Sequence, residues 1–251
     1  MAKKRISLTL EKEVLEKIDA EADRKDLNRS RMMEKAVREY LSSQGLDTAV
    51  VFCGDREAKS MESHEGKPVL SHVLDHLSEE GIERIILLSG SNREQIENHF
   101  GSKYRSSELE YFEQAEPKGT ASALKKIKDK VGKTFVAVNG HVVTDVDLQD
   151  MLSVHREEGN KATMALTTVD NPSDYGVVRL KGRTILGFER KPDPGSEPSR
   201  LINAGTYIFE PSIFSELDEK SLENVFESLS SSRVLSGYIY GGKWEDIKAD
   251  Q

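Results

Sequence analysis

The 251-residue sequence predicts an α/β chain in two parts: a small strand–helix–helix head, then a body on a mixed, mostly parallel sheet with helices on both faces. Three observations lead there. Residues 5–10 alternate strictly in polarity, and two stretches with apolar residues at helical spacing follow. From Thr48 onward, short apolar runs alternate with helical stretches, the pattern of strand–helix–strand units. The charge divides at the same place. Residues 1–45 carry 11 Lys and Arg against 9 Asp and Glu, a net of +2, whereas the other 206 carry 25 against 35, a net of −10. A basic piece on an acidic body points to a small nucleic-acid-binding module.

Hydrophobic residues at 36% and charged residues at 32% describe a globular chain and exclude a disordered one. No apolar run approaches the ~18 residues of a membrane helix, and no apolar stretch follows Met1-Ala2-Lys3-Lys4-Arg5, so neither a span nor a signal peptide is expected. A single cysteine, Cys53, excludes a disulfide scaffold and a Cys-built zinc site. The expected location is cytoplasmic and DNA-associated.

In the head, Ile6, Leu8 and Leu10 share one face of the alternating segment, and Arg5, Ser7 and Thr9 share the other. Val14, Leu15, Ile18 and Ala22 then recur at helical spacing to about Lys25. Leu27-Asn28-Arg29-Ser30 reads as a turn with a polar helix cap. Met32, Met33, Ala36, Val37, Tyr40 and Leu41 line a second helix that ends at Ser42-Ser43-Gln44-Gly45. About 40 residues cannot close a core alone, and a lone strand leaves an open edge. Two copies that pair their strands solve both problems. A helical hairpin used only for dimerisation is the alternative, but it leaves the alternating strand unexplained.

Over about residues 3–43 this segment resembles the ribbon-helix-helix family of prokaryotic repressors, relatives of Arc and MetJ. The resemblance implies a homodimer or higher oligomer whose paired strands enter the major groove of double-stranded DNA. Arg5, Ser7 and Thr9 would then face the bases, with Arg suited to guanine O6 and N7. Asn28, Arg29 and Ser30 would meet phosphate at the start of the second helix, and Lys3 and Lys4 would add backbone contacts. Some relatives of the family, such as antitoxin arms, also bind protein partners. The expected domain bounds are 1–44 and 48–251, joined through Gly45-Leu46-Asp47.

In the body, Ala49 to Cys53 is a continuous apolar run and predicts a buried strand. Helix 68–80, strand 84–89, helix 93–99, strand 109–113, helix 120–131 and strand 134–138 follow. Strand 163–169, a hairpin of 175–180 with 184–190, strand 204–209, a short helix near 211–217 and a final strand 237–240 complete the pattern. A ligand site is expected at the carboxyl ends of the parallel strands.

Several short strings fall in one order: Glu113-Gln114-Ala115-Glu116-Pro117-Lys118-Gly119-Thr120-Ala121, Val138-Asn139-Gly140, Asp174-Tyr175-Gly176-Val177-Val178, Lys191-Pro192, Ile202 to Phe209, and Trp244-Glu245-Asp246-Ile247. Together they resemble the sugar-1-phosphate nucleotidyltransferases, or nucleotide-sugar pyrophosphorylases, over about residues 48–248. The resemblance implies a Rossmann-like nucleotidyltransferase domain that joins a nucleoside triphosphate to a sugar 1-phosphate with Mg²⁺. It also implies ligand contacts from Gln114, Pro117 and Gly119 near the base, and from Tyr175, Gly176, Lys191, Asn203 and Gly205 on the sugar side.

The sequence departs from that pattern where the chemistry sits. The glycine-rich phosphate loop after the first strand is replaced by Gly54-Asp55-Arg56-Glu57-Ala58-Lys59-Ser60, which places Asp55 and Glu57 where a triphosphate would lie. Lys59 stands near the family's catalytic lysine, Arg190 in place of a Glu, His141 in place of a metal-binding Asp, and Lys248 in place of a Gly. Asp246 persists. Mg²⁺ prefers carboxylate oxygen to imidazole.

Three other features carry less. The 53–60 segment lacks P-loop glycines, and His72 with His76 has metal-capable spacing but no third ligand. Cys53 reads as a small core residue. The resulting expectation is a transcriptional regulator: a DNA-binding head on a pseudoenzyme body that senses a nucleotide, sugar phosphate or nucleotide-sugar, or that oligomerises. It has no catalytic residue, cofactor or metal. The alternative is an active sugar-1-phosphate nucleotidyltransferase with an appended DNA-binding or dimerisation module, using Asp246 and Mg²⁺. A third reading is a purely architectural DNA-associated protein.

Overall fold

Asn28 starts the second helix of the head, as its residue type predicts. Its side-chain oxygen accepts from the Arg31 N–H at 2.9 Å and its carbonyl from the Met32 N–H at 2.9 Å. The helices are α1 (Lys12–Arg24) and α2 (Arg29–Gln44). The structure is a computed structural model that describes residues 7–25, 27–54, 59–113, 119–217 and 221–247, with the side chains of 38–44 outside that description. The chain divides into two compact units, Met1–Gly45 and Leu46–Gln251.

Residues 7–10 of the predicted strand are irregular and exposed, and Arg5 and Ile6 lie outside the described residues. A strand needs a neighbour for its ladder, and one copy of this chain offers none. Within the head, Ala22 and Met32 are buried, while Leu8, Leu10, Val14 and Val37 remain 62%, 38%, 42% and 47% exposed. Tyr40 and Leu41, also placed on the apolar face, lie where side chains are not described.

The body is built from β1 (Thr48–Gly54), β2 (Ser63–His64), β3 (Lys67–Pro68), α3 (Val69–Glu79), β4 (Arg84–Ser89), α4 (Arg93–Phe100), β5 (Lys103–Tyr104), β6 (Ser107–Glu113), α5 (Thr120–Lys125) and β7 (Phe135–Asn139). The chain continues through β8 (Val142–Thr144), α6 (Leu148–Glu158), β9 (Ala162–Thr168), β10 (Gly176–Lys181), β11 (Thr184–Arg190), β12 (Leu201–Phe209), α7 (Leu222–Ser231), β13 (Leu235–Ile239) and β14 (Trp244–Asp246).

Ten strands form one sheet in the order β10-β11-β13-β9-β12-β7-β1-β4-β6-β5. The sheet is mixed rather than mostly parallel. β7, β1, β4 and β6 run parallel, as do β9 and β13. β12 enters antiparallel between β7 and β9, and β10 and β11 form a hairpin. Helical crossovers place β1, β4, β6 and β7 in parallel, whereas the short turn between β10 and β11 makes a hairpin and β12 enters between β7 and β9 in the opposite direction.

Both faces of the sheet are covered, which explains the apolar run in β1. Ala49, Val51 and Cys53 join a core with Leu74 and Leu77 of α3, Ile96 of α4 and Met151 of α6. Val50 and Phe52 point the other way, to Leu124 of α5, Phe135, Phe209 and Phe226 of α7.

Two expected elements change. Helix 120–131 is α5 followed by a 3₁₀ turn at Lys128–Lys130. The strand at 237–240 is not the last, because β14 follows and pairs with β8. The pattern also missed β2, β3, β5, β8, α6 and α7.

Candidate active site

The carboxyl ends of β1 and β7 meet in a turn. The Gly140 N–H donates to the Phe52 carbonyl at 2.9 Å, and a Cβ on Gly140 would lie 3.1 Å from that same oxygen. A side chain at 140 would push the Asn139-Gly140-His141 turn a few tenths of an ångström off β1. Gly205 of β12 is pressed against the same turn. It has φ +77°, and a Cβ there would stand 2.8 Å from Asn139 Nδ2.

Beside Gly205 the ladder between β12 and β9 slips between Asn203 and Tyr207. The Asn203 amide bridges the slip: Nδ2 donates to the Tyr207 hydroxyl at 2.8 Å, and Oδ1 accepts from the Gly205 N–H at 3.0 Å. Trp244 Nε1 donates to the Ala204 carbonyl at 3.0 Å, and its ring meets Tyr175 edge-on at 5.5 Å. The Tyr175 carbonyl accepts from the Lys191 N–H at 2.9 Å. Lys191 has φ +40°, a left-handed conformation that side-chain-bearing residues adopt at a cost. Gly176 packs under the Phe188 ring, where a Cβ would fall 2.4 Å from Cζ.

His141 and Asp246 come together through the short β8–β14 pair. Asp246 lies opposite Val142, and the Ile247 N–H donates to the His141 carbonyl at 3.0 Å. His141 Nε2 is 3.7 Å from Asp246 Oδ1, with side chains 37% and 10% exposed. The preceding Glu245 is held by His64 Nε2 at 3.0 Å. Tyr240 bonds Thr144 at 2.7 Å on the same edge, and burial pushes its hydroxyl up to about 12.

The structure thus gathers Tyr175, Gly176, Lys191, Asn203 and Gly205 into one region with Asn139, Trp244, His141 and Asp246. Asn139 and Trp244 were quoted in sequence strings without a role; their signal was the Asn-Gly turn and the single tryptophan. Arg190 is exposed and lies opposite Gly176. Gly119, at φ +93°, precedes α5. Gln114 and Pro117 lie outside the described residues, as do Asp55, Arg56, Glu57, Ala58 and Lys248.

After β1, Lys59 pairs with Glu62, and Ser60 Oγ donates to the Cys53 carbonyl at 3.2 Å. Burial pushes the Cys53 thiol far up, as for an inert core cysteine. His72 bonds the His64 carbonyl at 2.9 Å. A groove of about 960 Å³ opens at the opposite, amino ends of β1 and β4. Two of its cations are ion-paired, Lys133 with Asp47 and Arg84 with Glu110, and it lies at the end of the strands away from the His141 turn.

In the head, Lys3, Lys4 and Arg5 lie outside the described residues, and Ser7, Thr9 and Ser30 are exposed. Arg29 forms a two-pronged ion pair with Asp19 of α1, both bonds 2.6 Å. The hydrogen bond raises the guanidinium's pKa and lowers that of Asp19. Asn28 caps its helix.

The donor set at His141 and Asp246 fits a divalent cation that is shared with phosphate. Such an ion needs one or two protein carboxylates and takes its other ligands from phosphate and water. Asp246 supplies the carboxylate and His141 an imidazole nitrogen. Among the described residues no three His, Cys, Asp or Glu side chains form a self-sufficient metal set.

Residues 53–247 match the family described as nucleotidyl transferase, and residues 4–42 match the ribbon-helix-helix protein, copG family. The bifunctional protein GlmU of Methanocaldococcus jannaschii is 29% identical over 77% of this chain and 47% of its own length. The mannose-1-phosphate guanylyltransferase catalytic subunit beta of Drosophila pseudoobscura pseudoobscura is 32% identical over 75% of this chain and 53% of its own. The chain spans about half the length of these curated relatives. The UTP-bound UGPase of Acinetobacter baumannii shares the fold, with a TM-score of 0.70 and 22% identity over 80% of this chain and 88% of that one. Among the described residues no helix is long and apolar enough to cross a membrane.

These relatives overturn two expectations. A transcriptional regulator with a pseudoenzyme body is not what the chain resembles, since the family model is described as nucleotidyl transferase, a relative is named a guanylyltransferase, and nothing positive marks this body as inactive. The expectation of no cofactor falls with it, because it was drawn from that reading. With a match that covers most of its length, from the end of β1 to the residue after β14, the chain belongs to the nucleotidyl transferase family.

Proposed function

We propose that the body is a sugar-1-phosphate nucleotidyltransferase carried on a head that dimerises and binds double-stranded DNA. The observation that carries the reading is the convergence of Lys191, Tyr175, Asn203 and Asp246 on the Asn139-Gly140-His141 turn, at the carboxyl ends of β1 and β7. In the reaction, a phosphate oxygen of the sugar 1-phosphate attacks the α-phosphorus of a nucleoside triphosphate. The bond from that phosphorus to the bridging oxygen breaks, and pyrophosphate leaves.

Lys191 brings a cation to the sugar phosphate. Its left-handed backbone, tied to Tyr175, fixes where the side chain starts. Gly176 and Gly205 leave room beside it and hold the strands in close approach. Asn203 and Trp244 are positioning residues: their hydrogen bonds lock the slipped stretch of β12 against the turn. Asp246 and His141 would hold the cation, which would neutralise triphosphate charge. Preorganised charge of this kind supplies much of the rate in phosphoryl chemistry.

The test is pyrophosphate release from the ribonucleoside triphosphates and dTTP, with a panel of sugar 1-phosphates and divalent cations. Turnover that falls by about a hundredfold in Asp246→Ala or Lys191→Ala supports the reading. A folded protein without turnover on the panel, whatever the cation, counts against it. For the head, residues 4–42 match the ribbon-helix-helix copG family, whose resemblance implies DNA binding, and the exposed Leu8, Leu10, Val14 and Val37 await a second copy. Ser7, Thr9, Arg5, Lys3 and Lys4 are the proposed DNA-facing residues, with Ser30 and the start of α2 toward phosphate.

A further inference from the structure

We infer that the His141–Asp246 pair makes this site select a divalent transition ion, Co²⁺ ahead of Mn²⁺, over Mg²⁺ when a nucleoside triphosphate binds; the inference rests on the nucleotidyl-transfer reading of the site. The two donor atoms are 3.7 Å apart, a span that two ligands of one small cation cover. The spacing is built in. The pairing of β8 with β14 and the Ile247 N–H bond to the His141 carbonyl fix both backbones, and Trp244 anchors the strand to Ala204. Gly140 fixes the other side of the turn against Phe52. His141 therefore meets the ion as part of a stiff frame.

The donor chemistry sets the preference. Mg²⁺ is hard, takes oxygen and dehydrates reluctantly. An imidazole in its shell replaces a charged oxygen with a neutral nitrogen. Mn²⁺ and Co²⁺ accept phosphate oxygen, carboxylate and imidazole together, and nitrogen affinity rises from the first to the second. One carboxylate with one neutral imidazole also gives the protein less negative charge than two carboxylates would. The triphosphate's own charge completes the site, so cation and nucleotide bind together.

Two measurements on the intact chain test the assignment without turnover. Calorimetric titration with UTP, GTP and dTTP, no sugar phosphate present, compares Mn²⁺, Co²⁺ and Mg²⁺. The expected result is nucleotide binding about tenfold tighter with the transition ions, and a preference that returns toward Mg²⁺ in His141→Asp. Pulsed electron paramagnetic resonance on the Mn²⁺–UTP complex reads nitrogen ligation directly. The modulation should change in protein labelled with ¹⁵N-histidine and vanish in His141→Gln, whose thermal melt reports that it folds. Equal binding with Mn²⁺ and Mg²⁺, or no histidine-nitrogen modulation, overturns the inference while the proposed function stands. No triphosphate binding with any of the three ions, in wild type or His141→Asp, overturns both.

Discussion

The head and the body answer the problem of burial differently. In one copy of the chain the head covers Ala22 and Met32 but leaves Leu8, Leu10, Val14 and Val37 open to solvent. The body closes two cores, one on each face of its sheet, around Phe135, Phe209 and Phe226 on one side and Leu74, Leu77 and Ile85 on the other. The body's stability is thus a property of its own sequence, whereas on the proposed dimerisation the head's would depend on concentration. A segment of about 40 residues has too little interior to stand alone.

The largest effect expected from this contrast is in the head. Val37→Asp with Leu10→Asp should abolish dimerisation and with it specific DNA binding, while pyrophosphate release changes little. Sedimentation, a mobility-shift assay and the turnover assay read the three quantities. If DNA binding persists in a monomeric double variant, the head does not work as a paired ribbon. The reverse perturbation is Phe226→Ala. It should lower the body's stability by about 3–5 kcal/mol, because the ring is buried against Tyr207, Phe209 and Phe188. Denaturant melts followed by tryptophan emission report the body alone, since the sole tryptophan is Trp244.

A smaller effect is expected at the head's helix cap. Asn28→Ala should cost about 1 kcal/mol per copy by freeing the Arg31 N–H, measured by circular dichroism on the head fragment at fixed concentration. The mildest sharpening is by pH. Burial first, and Arg156 to a lesser degree, lower the pKa of His155, with the facing Glu210 opposing; burial also lowers His76, against Glu80 and its acidic neighbours. The unfolded chain then binds protons that the folded body refuses. Stability is flat above about pH 6.5 and falls as pH drops below it toward the folded values. His155→Gln should flatten that slope in the body's melting temperature between pH 7 and 5.5 and leave the head's unchanged. An unaltered slope would assign the acid sensitivity to other groups.

The strand–helix alternation was legible where burial is two-sided or periodic. Ala49 to Cys53 announces β1, and β4 occupies Arg84–Ser89 as expected. What escaped has physical reasons. The helix α6 carries its own signals, an Asp147 cap accepting from Asp150 and a left-handed Gly159 at its end, yet its apolar positions are diluted by charge. The polar residues of α7 likewise mask its spacing, though Leu222, Val225, Phe226 and Leu229 all face the core. β8 and β14 are three residues each and too short to show a period. The meeting of His141 with Asp246 depends on that pair, so periodicity did not show it; only the family motif, which sets both at one metal site, pointed there. Tyr175, Gly176, Lys191, Asn203 and Gly205 stood in the motif strings, but that Asn203 braces β12 did not show there.

Lys191 leaves one consequence for any attempt to improve this protein. Its backbone sits where glycine rests without strain, and a side chain there costs about 1–2 kcal/mol. A library selected on heat resistance alone should converge on glycine at 191, and one selected on turnover should keep lysine. On the proposed function the two selections pull a single codon in opposite directions, so the residue would mark where durability and catalysis are traded against each other.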